Sequence, residues 1–235
     1  MRFAKGHGTG NDFVVLPDPD GRLALTPALV AALCDRRRGI GADGVLRVVR
    51  SSRHPDAAGQ AREADWFMDY WNADGSCAEM CGNGVRVFTR YLISQGLAAL
   101  VEGGIPIATR AGVVRVLVGE REIAVDLGRP RLGGSSTAAV GALTLAGTAV
   151  DCGNPHLVCA LPASVDLATL DLSRPPEVDA TTFPSGVNVE FVRLAQPIPA
   201  ADVHVQMRVY ERGSAETQSC GSGALAAAAV ALRDA

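Results

Sequence analysis

The chain has 235 residues, 48% of them apolar and 20% charged, with a formal net charge of −3. That composition excludes a disordered polymer, and the acidic balance excludes the basic footprint that nucleic acid or an anionic membrane surface requires. Of the 22 Lys and Arg residues only Lys5 is a lysine, so any Schiff-base or pyridoxal chemistry would have to pass through that one side chain.

The opening Met1-Arg2-Phe3-Ala4-Lys5-Gly6 has no apolar stretch of the kind a signal peptide carries. The longest apolar run, 224–232, is far too short to span a bilayer. The chain is therefore expected in the cytoplasm, with its six cysteines (Cys34, Cys77, Cys81, Cys152, Cys159 and Cys220) reduced. Gly6-x-Gly8-x-Gly10 has the wrong spacing for a dinucleotide fingerprint, and a strand follows it, so it reads as a tight turn between strands. In the first half, alternation and β-branched runs predict strands over 13–16, 45–49, 66–70, 113–118 and 123–127. Thr26 is expected to cap a helix that opens with Pro27 and stops near Gly39, with Arg36-Arg37-Arg38 as its solvated end. A second helix over 85–95 carries Val85, Phe88 and Leu92 on one stripe and stops at Gly96. Residues 128–141, rich in Gly, Ser and Pro, read as a linker. Strands over 156–161, 187–194 and 203–209 and a small-residue helix over 224–232 complete the second half.

The chain also repeats itself. Gly8-Thr9-Gly10-Asn11-Asp12-Phe13 resembles Asp151-Cys152-Gly153-Asn154-Pro155-His156, and Tyr70 aligns with Tyr210 in a second weak match. Met80-Cys81-Gly82-Asn83-Gly84-Val85 resembles Ser219-Cys220-Gly221-Ser222-Gly223-Ala224. Three matches in one order imply two homologous halves, 1–131 and 132–235, each with a Cys-Gly-x-Gly at a strand-to-helix junction. By the same logic the second half ends two or three strands early, leaving the apolar faces of 187–209 and 224–232 partly uncovered and the fold weakened.

A helix start offers free N–H groups and a positive dipole end, which lower a thiol pKa, and glycines let those amides approach a carboxylate. Two such thiols on opposite faces of one carbon form a stereoinverter. One takes the α-proton and the other returns a proton, with no metal or cofactor required. Five asparagines (Asn11, Asn72, Asn83, Asn154 and Asn188) suit the ammonium and carboxylate of an amino acid, and Glu211-Arg212 supplies one charge of each sign.

These segments, with Asn72-Ala73-Asp74-Gly75-Ser76, Gly153-Asn154-Pro155-His156, Gly186-Val187-Asn188-Val189-Glu190 and Tyr210-Glu211-Arg212-Gly213, resemble the diaminopimelate epimerase family in order from residue 8 to 223. The resemblance implies Cys81 and Cys220 as catalytic residues. It implies substrate contacts from Asn11, Asn72, Gly82, Asn83, Asn154, Asn188, Glu211, Arg212, Gly221 and Ser222, with His156 and Glu211 tuning the thiols. It implies two pseudo-symmetric α/β (α+β) domains, each a mostly antiparallel sheet wrapped around a central helix, with the active site in the cleft between them. It further implies a homodimer acting on diaminopimelate, in lysine and cell-wall precursor synthesis, without nucleic-acid or membrane partners. Many members carry a substrate-contacting glutamine where this chain has Gly44, so no role is carried over there.

Other readings compete. Cys34, Cys159, Cys77 and Cys152 read as buried filler. A zinc site would draw on Cys77, Cys81, Cys152, His156 and Cys159, but no Cys-x-x-Cys pair exists, so metal is set at none. His156 could be a structural histidine, and His54 and His204 read as surface or strand residues. A proline-racemase-like relative would use the same two thiols but has no use for the distal charges of Glu211 and Arg212. A fragment that only binds ligand or partner is the remaining alternative.

Overall fold

A computed structural model describes residues 1–120, 122–199 and 201–235. The chain divides into two compact units, Met1–Leu127 and Gly128–Ala235.

The first unit runs β1 (Ala4–Gly8), β2 (Asn11–Pro17), α1 (Pro27–Cys34), β3 (Gly44–Arg50), β4 (Trp66–Asn72), α2 (Gly82–Ser94), β5 (Ile105–Thr109), β6 (Gly112–Val118) and β7 (Ile123–Val125). The seven strands lie side by side in chain order, antiparallel except for the parallel pairs β2–β3 and β4–β5. Helix α2 packs against all seven, so the sheet curls around it. Its Val85, Phe88 and Leu92 have no exposed surface and share a core with Phe13, Val15, Leu46 and Met68. The stripe at helical spacing is what buries this face. Thr26 caps α1 as expected, accepting from Leu29 N. That helix stops at Cys34 rather than near Gly39, because Asp35 Oδ1 accepts from the N–H groups of Arg37 and Arg38 and turns the chain out of the helix. The turn expected around Gly6, Gly8 and Gly10 shrinks to Thr9-Gly10, both at positive φ. Gly6 and Gly8 lie in β1 itself, where a Cβ would meet Val87 at 3.0 Å and the Asn83 carbonyl at 3.2 Å.

The second unit runs β8 (Arg131–Val140), β9 (Leu143–Asp151), β10 (Pro155–Ala160), β11 (Glu177–Val178), β12 (Asn188–Leu194), β13 (Val205–Glu211), β14 (Ala215–Thr217) and α3 (Gly221–Asp234). Its sheet order is β11-β8-β9-β10-β12-β13-β14, with β10–β12 the parallel pair. The expected linker 128–141 is therefore mostly strand. Small residues from Gly133 to Ala139 leave β8 free to pair along β9, with one irregularity between Leu132 and Ser135.

Register gives the residue-by-residue match between the units. In the first, Val15 pairs with Leu46 and Leu46 with Tyr70; in the second, Val158 pairs with Glu190 and Glu190 with Val209. Thus β2-β3-β4-α2 corresponds to β10-β12-β13-α3, Leu46 to Glu190, Phe13 to His156 and Gly44 to Asn188. The alignment of Tyr70 with Tyr210 is one residue out. Trp71, paired with Val45, is the partner in register of Tyr210, paired with Val189. Tyr70 faces the core around α2, whereas Tyr210 packs on a separate cluster with Leu157 and Phe191. A one-residue slip in a strand reverses every face, and its correction matches Asn72 with Glu211.

The units differ in how far the sheet covers the helix. Helix α3 packs chiefly on β9, β10, β12 and β13, and no strand among the described residues takes the place that β5, β6 and β7 hold around α2. A groove of about 490 Å³ remains beside α3, lined by Leu161, Val192, Leu194, Val205, Val230 and Ala231 among others, as expected for an uncovered apolar face. Leu194 and Leu232 are 75% and 57% exposed. Among the described residues, no helix is long and apolar enough to cross a membrane.

Candidate active site

Each Cys-Gly-x-Gly opens a helix with the cysteine as its N-cap, after the loop that follows β4 in the first unit and just after β14 in the second. Cys81 Sγ accepts from Gly84 N at 3.3 Å and Cys220 Sγ from Gly223 N at 3.4 Å. A thiol in this position takes one of the orphan donors of the first helical turn and lies at the positive end of the helix dipole.

In the first unit the structure gathers Asn11, Cys81 and Asn83. Cys81 Sγ lies 3.7 Å from Asn11 Oδ1, which also accepts from Asn83 Nδ2 at 3.4 Å. Asn11 is held from behind, since its Nδ2 donates to Asp43 Oδ2 at 2.9 Å. Asp43 in turn pairs with Arg36, which also reaches Asp12, both at 2.7 Å. Arg36 is exposed, as expected of a solvated end, but it lies just beyond the helix and also braces the carboxylates that orient Asn11. Burial raises the Asp12 carboxyl, but Arg36 and Lys5 together hold it well below the ordinary carboxylate range. Arg86 donates to Asn83 Oδ1. Asn72, at the end of β4, closes its own turn by donating from Nδ2 to Ser76 Oγ at 3.0 Å. At Gly44 a Cβ would meet the Trp71 carbonyl at 2.6 Å and Tyr70 Cε2 at 2.8 Å, so a side chain there would force a shift of β4.

The second unit gathers Asn154, His156, Asn188, Glu211, Arg212, Cys220 and Ser222. Ser222 Oγ lies 3.6 Å from Cys220 Sγ, and both residues are buried. Asn188 ties β10 to the turn after β13: its Nδ2 donates to the Pro155 carbonyl at 3.2 Å, and its Oδ1 accepts from Arg212 N at 2.9 Å. Glu211 accepts from the Thr217 hydroxyl. His156 bridges Asn154 and Glu190, at 2.9 and 2.7 Å. Cys220 departs from expectation. Burial raises its thiol well above the ordinary value, the carboxylates of Glu211 and Glu190 push the same way, and the Ser222 and Gly223 donors only partly oppose them. The helix start alone does not deliver a thiolate here.

The remaining cysteines separate cleanly. Burial drives the Cys34 and Cys152 thiols to about 11 and that of Cys159 to about 12, which makes them inert filler. Cys77, expected to be buried, is exposed beyond the end of β4. His54, expected near the surface, packs on Phe67 and faces buried Asp69, where burial lowers its pKa.

Glu190, Asp43 and Arg86 carry no role in the sequence reading, and Arg36 only that of a solvated helix end. Glu190 does leave a trace there, as a single carboxylate inside the apolar run Val187-Asn188-Val189-Glu190-Phe191-Val192. A charge inside a strand buried on both faces requires a buried partner.

The family model for diaminopimelate epimerase matches residues 3–133 and 148–235. The diaminopimelate epimerase of Thermobifida fusca is 54% identical over 98% of this chain and 83% of its own length, and that of Streptomyces coelicolor is 53% identical over 100% and 79%. A hydroxyproline epimerase structure from Agrobacterium vitis shares the fold at a TM-score of 0.65 and 15% identity, over 99% of this chain and 77% of that one. A phenazine biosynthesis protein from Bacillus anthracis does so at 0.53 and 15%, over 94% and 77%. Two helices packed on their own sheets with matched capping thiols, and whole-chain identity above one half, place this chain in the diaminopimelate epimerase family of isomerases.

Proposed function

We propose that Cys81 and Cys220 are the two acid–base groups that interconvert LL- and meso-2,6-diaminopimelate. The observation that carries this is the matched pair of thiols, each capping the first turn of the helix packed on its own sheet. One thiolate takes the Cα proton, and the C–H electron pair is delocalised into the neighbouring carboxylate. The other thiol then gives its proton to the opposite face of the same carbon, so the two sulfurs end with their protonation states exchanged. Burial, with Glu211 and Glu190 beside it, raises the Cys220 thiol well above its ordinary value, which favours its protonated form in the empty enzyme.

The developing negative charge is met by amides at Gly82-Asn83 and Gly221-Ser222, which need no reorganisation when it forms. Asn11, Asn72, Asn154 and Asn188, with Glu211 and Arg212, hold the two amino-carboxylate ends, and His156 and Glu211 tune the thiols. No metal or cofactor enters this chemistry. Six free cysteines suit a reducing cytoplasm, and the family implies a homodimer, which sedimentation of the full chain checks.

The test is incubation with LL-diaminopimelate in D₂O under reductant, with deuterium at Cα followed by mass spectrometry. Incorporation should fall by about 1,000-fold or more in both Cys81→Ser and Cys220→Ser. Incorporation that survives either change removes the two-thiol reading.

A further inference from the structure

Glu190 sits in β12 with no exposed surface, among buried Val189, Phe191 and Val192. Its Oε1 lies 2.7 Å from His156 Nδ1, while Oε2 is buried without a partner. His156, also fully buried, has its other nitrogen, Nε2, 2.9 Å from Asn154 Oδ1. Both ring nitrogens therefore face oxygen acceptors.

That arrangement fixes a proton count. A neutral imidazole donates from one nitrogen and accepts at the other. If Glu190 were a carboxylate served by Nδ1–H of a neutral ring, Nε2 would be an acceptor and would draw the amide nitrogen of Asn154. It faces the amide oxygen instead, so Nε2 carries a proton and one further proton lies between Nδ1 and Oε1. The orphaned Oε2 agrees, since a carboxyl that shares a proton through Oε1 tolerates an unpaired second oxygen far better than a full carboxylate does. Burial, reinforced by Glu211, raises the Glu190 carboxyl above its ordinary value despite the histidine.

We propose that Glu190 is a positioning residue: by sharing one proton with His156 it turns Asn154 so that the amide NH₂, not the oxygen, meets the substrate carboxylate. The consequence for binding rests on the reading of Asn154 as a substrate contact; the proton count rests on the geometry alone. The titratable groups around the pair are Glu211 at the end of β13, Cys220 at the head of α3, Cys159 on β10, Cys152 just before it and Asp151 at the end of β9. Raising the pH removes the shared proton, makes Nε2 an acceptor and reverses the Asn154 amide. The oxygen then faces the carboxylate, and KM rises.

Two measurements test this. The chain has only four histidines, so ¹⁵N-histidine labelling of the full protein, with His156→Asn for assignment, reads the ring directly. Nε2 is expected to be protonated at neutral pH, both in the native chain and in Glu190→Gln, whose amide can donate to Nδ1. An unprotonated Nε2 in the native chain overturns the proposal. This readout needs no substrate, so it stands even if the deuterium experiment removes the epimerase reading.

In steady-state kinetics, KM of the native enzyme should climb as the pair loses its proton, with kcat moving less. KM of Glu190→Gln should stay level over the same range. Glu190→Leu should raise KM about tenfold, equivalent to about 1.4 kcal/mol of binding. A Glu190→Gln variant whose KM follows pH as the native one does overturns the proposal, and this comparison stands if the leucine variant fails to fold.

Discussion

The two helix starts share a backbone and differ in nearly every side chain behind the thiol. Where the first unit has Phe13, Leu46 and Asn72, the second has His156, Glu190 and Glu211 at the positions matched by strand register. Cys81 lies beside the Asn11 amide and the Gly84 N–H, whereas the carboxyls of Glu211 and Glu190 bear on Cys220. Even the matched asparagines are held in opposite senses: Asn11 turns its oxygen to the thiol and its nitrogen to Asp43, whereas Asn154 gives its oxygen to His156. Duplication has kept the geometry that places a sulfur at a helix end and let the charges diverge. A symmetric frame thus carries two thiols with different neighbours.

The largest effect should come from copying one side onto the other. Leu46→Glu puts a carboxyl at a site with no exposed surface and no histidine, at a cost of about 4 kcal/mol in denaturant unfolding. Adding Phe13→His should recover part of it. A cost below about 1 kcal/mol would show that the two positions are not equivalent in their surroundings.

How much of this was legible in the sequence depends on whether the signal was local. The repeated Cys-Gly-x-Gly was, because helix start, cap and glycine clearance all lie within four residues. The strands of 45–49 and 66–70 were, because β-branched residues in the first and the alternation of Trp66, Met68 and Tyr70 in the second are local signals. Strand β8 was not, since its Gly, Ser, Thr and Ala look like linker until β9 pairs with them, and Pro106 helped to hide β5. Glu190 could not be given a role, because its partner His156 is 34 residues away and comes beside it only through β10–β12 pairing. The match of Asn72 with Glu211 was lost to a one-residue slip, invited by two tyrosines that lie on opposite faces.

The helices sharpen the contrast. By the cysteine offset, Val85, Phe88 and Leu92 of α2 correspond to Ala224, Ala227 and Ala231 of α3. One helix fills its sheet with bulk; the other lies close to a partial sheet. Phe88→Ala should cost about 3–4 kcal/mol, and Leu232→Ala, at a side chain already mostly exposed, less than about 0.5 kcal/mol. A large cost at Leu232 would mean that something covers that face in solution.

The motif glycines give a smaller difference. A Cβ at Gly84 would meet Leu46 Cδ2 at 3.2 Å, which a slight shift of the leucine relieves, and alanine's helix preference offsets much of the strain. At Gly223 it would meet Glu190 Oε1 at 2.5 Å, and that oxygen cannot withdraw without giving up His156. Gly84→Ala should be near neutral, whereas Gly223→Ala should cost about 2 kcal/mol. Equal costs would mean that Glu190 moves freely.

The smallest effect is the pH dependence of stability, and it has opposite signs in the two units. The Asp12 carboxyl is held below its ordinary value by Arg36 and Lys5, against the pull of burial. It therefore contributes stability that is present above the unfolded aspartate value and lost as pH falls through the folded one. Glu190 is raised by burial, so its contribution is present below the unfolded glutamate value and is lost as pH rises through its folded value. On acidification from neutrality the Glu190 contribution returns first, above the ordinary glutamate range, and the Asp12 contribution disappears last, below the ordinary aspartate range. Denaturant midpoints taken across this interval should show Glu190→Gln without the early gain and Asp12→Asn with a shallower late loss. If Glu190→Gln keeps the early gain, the shared proton lies elsewhere than on the pair, and the asymmetry between the two thiols has to be sought in Glu211 instead.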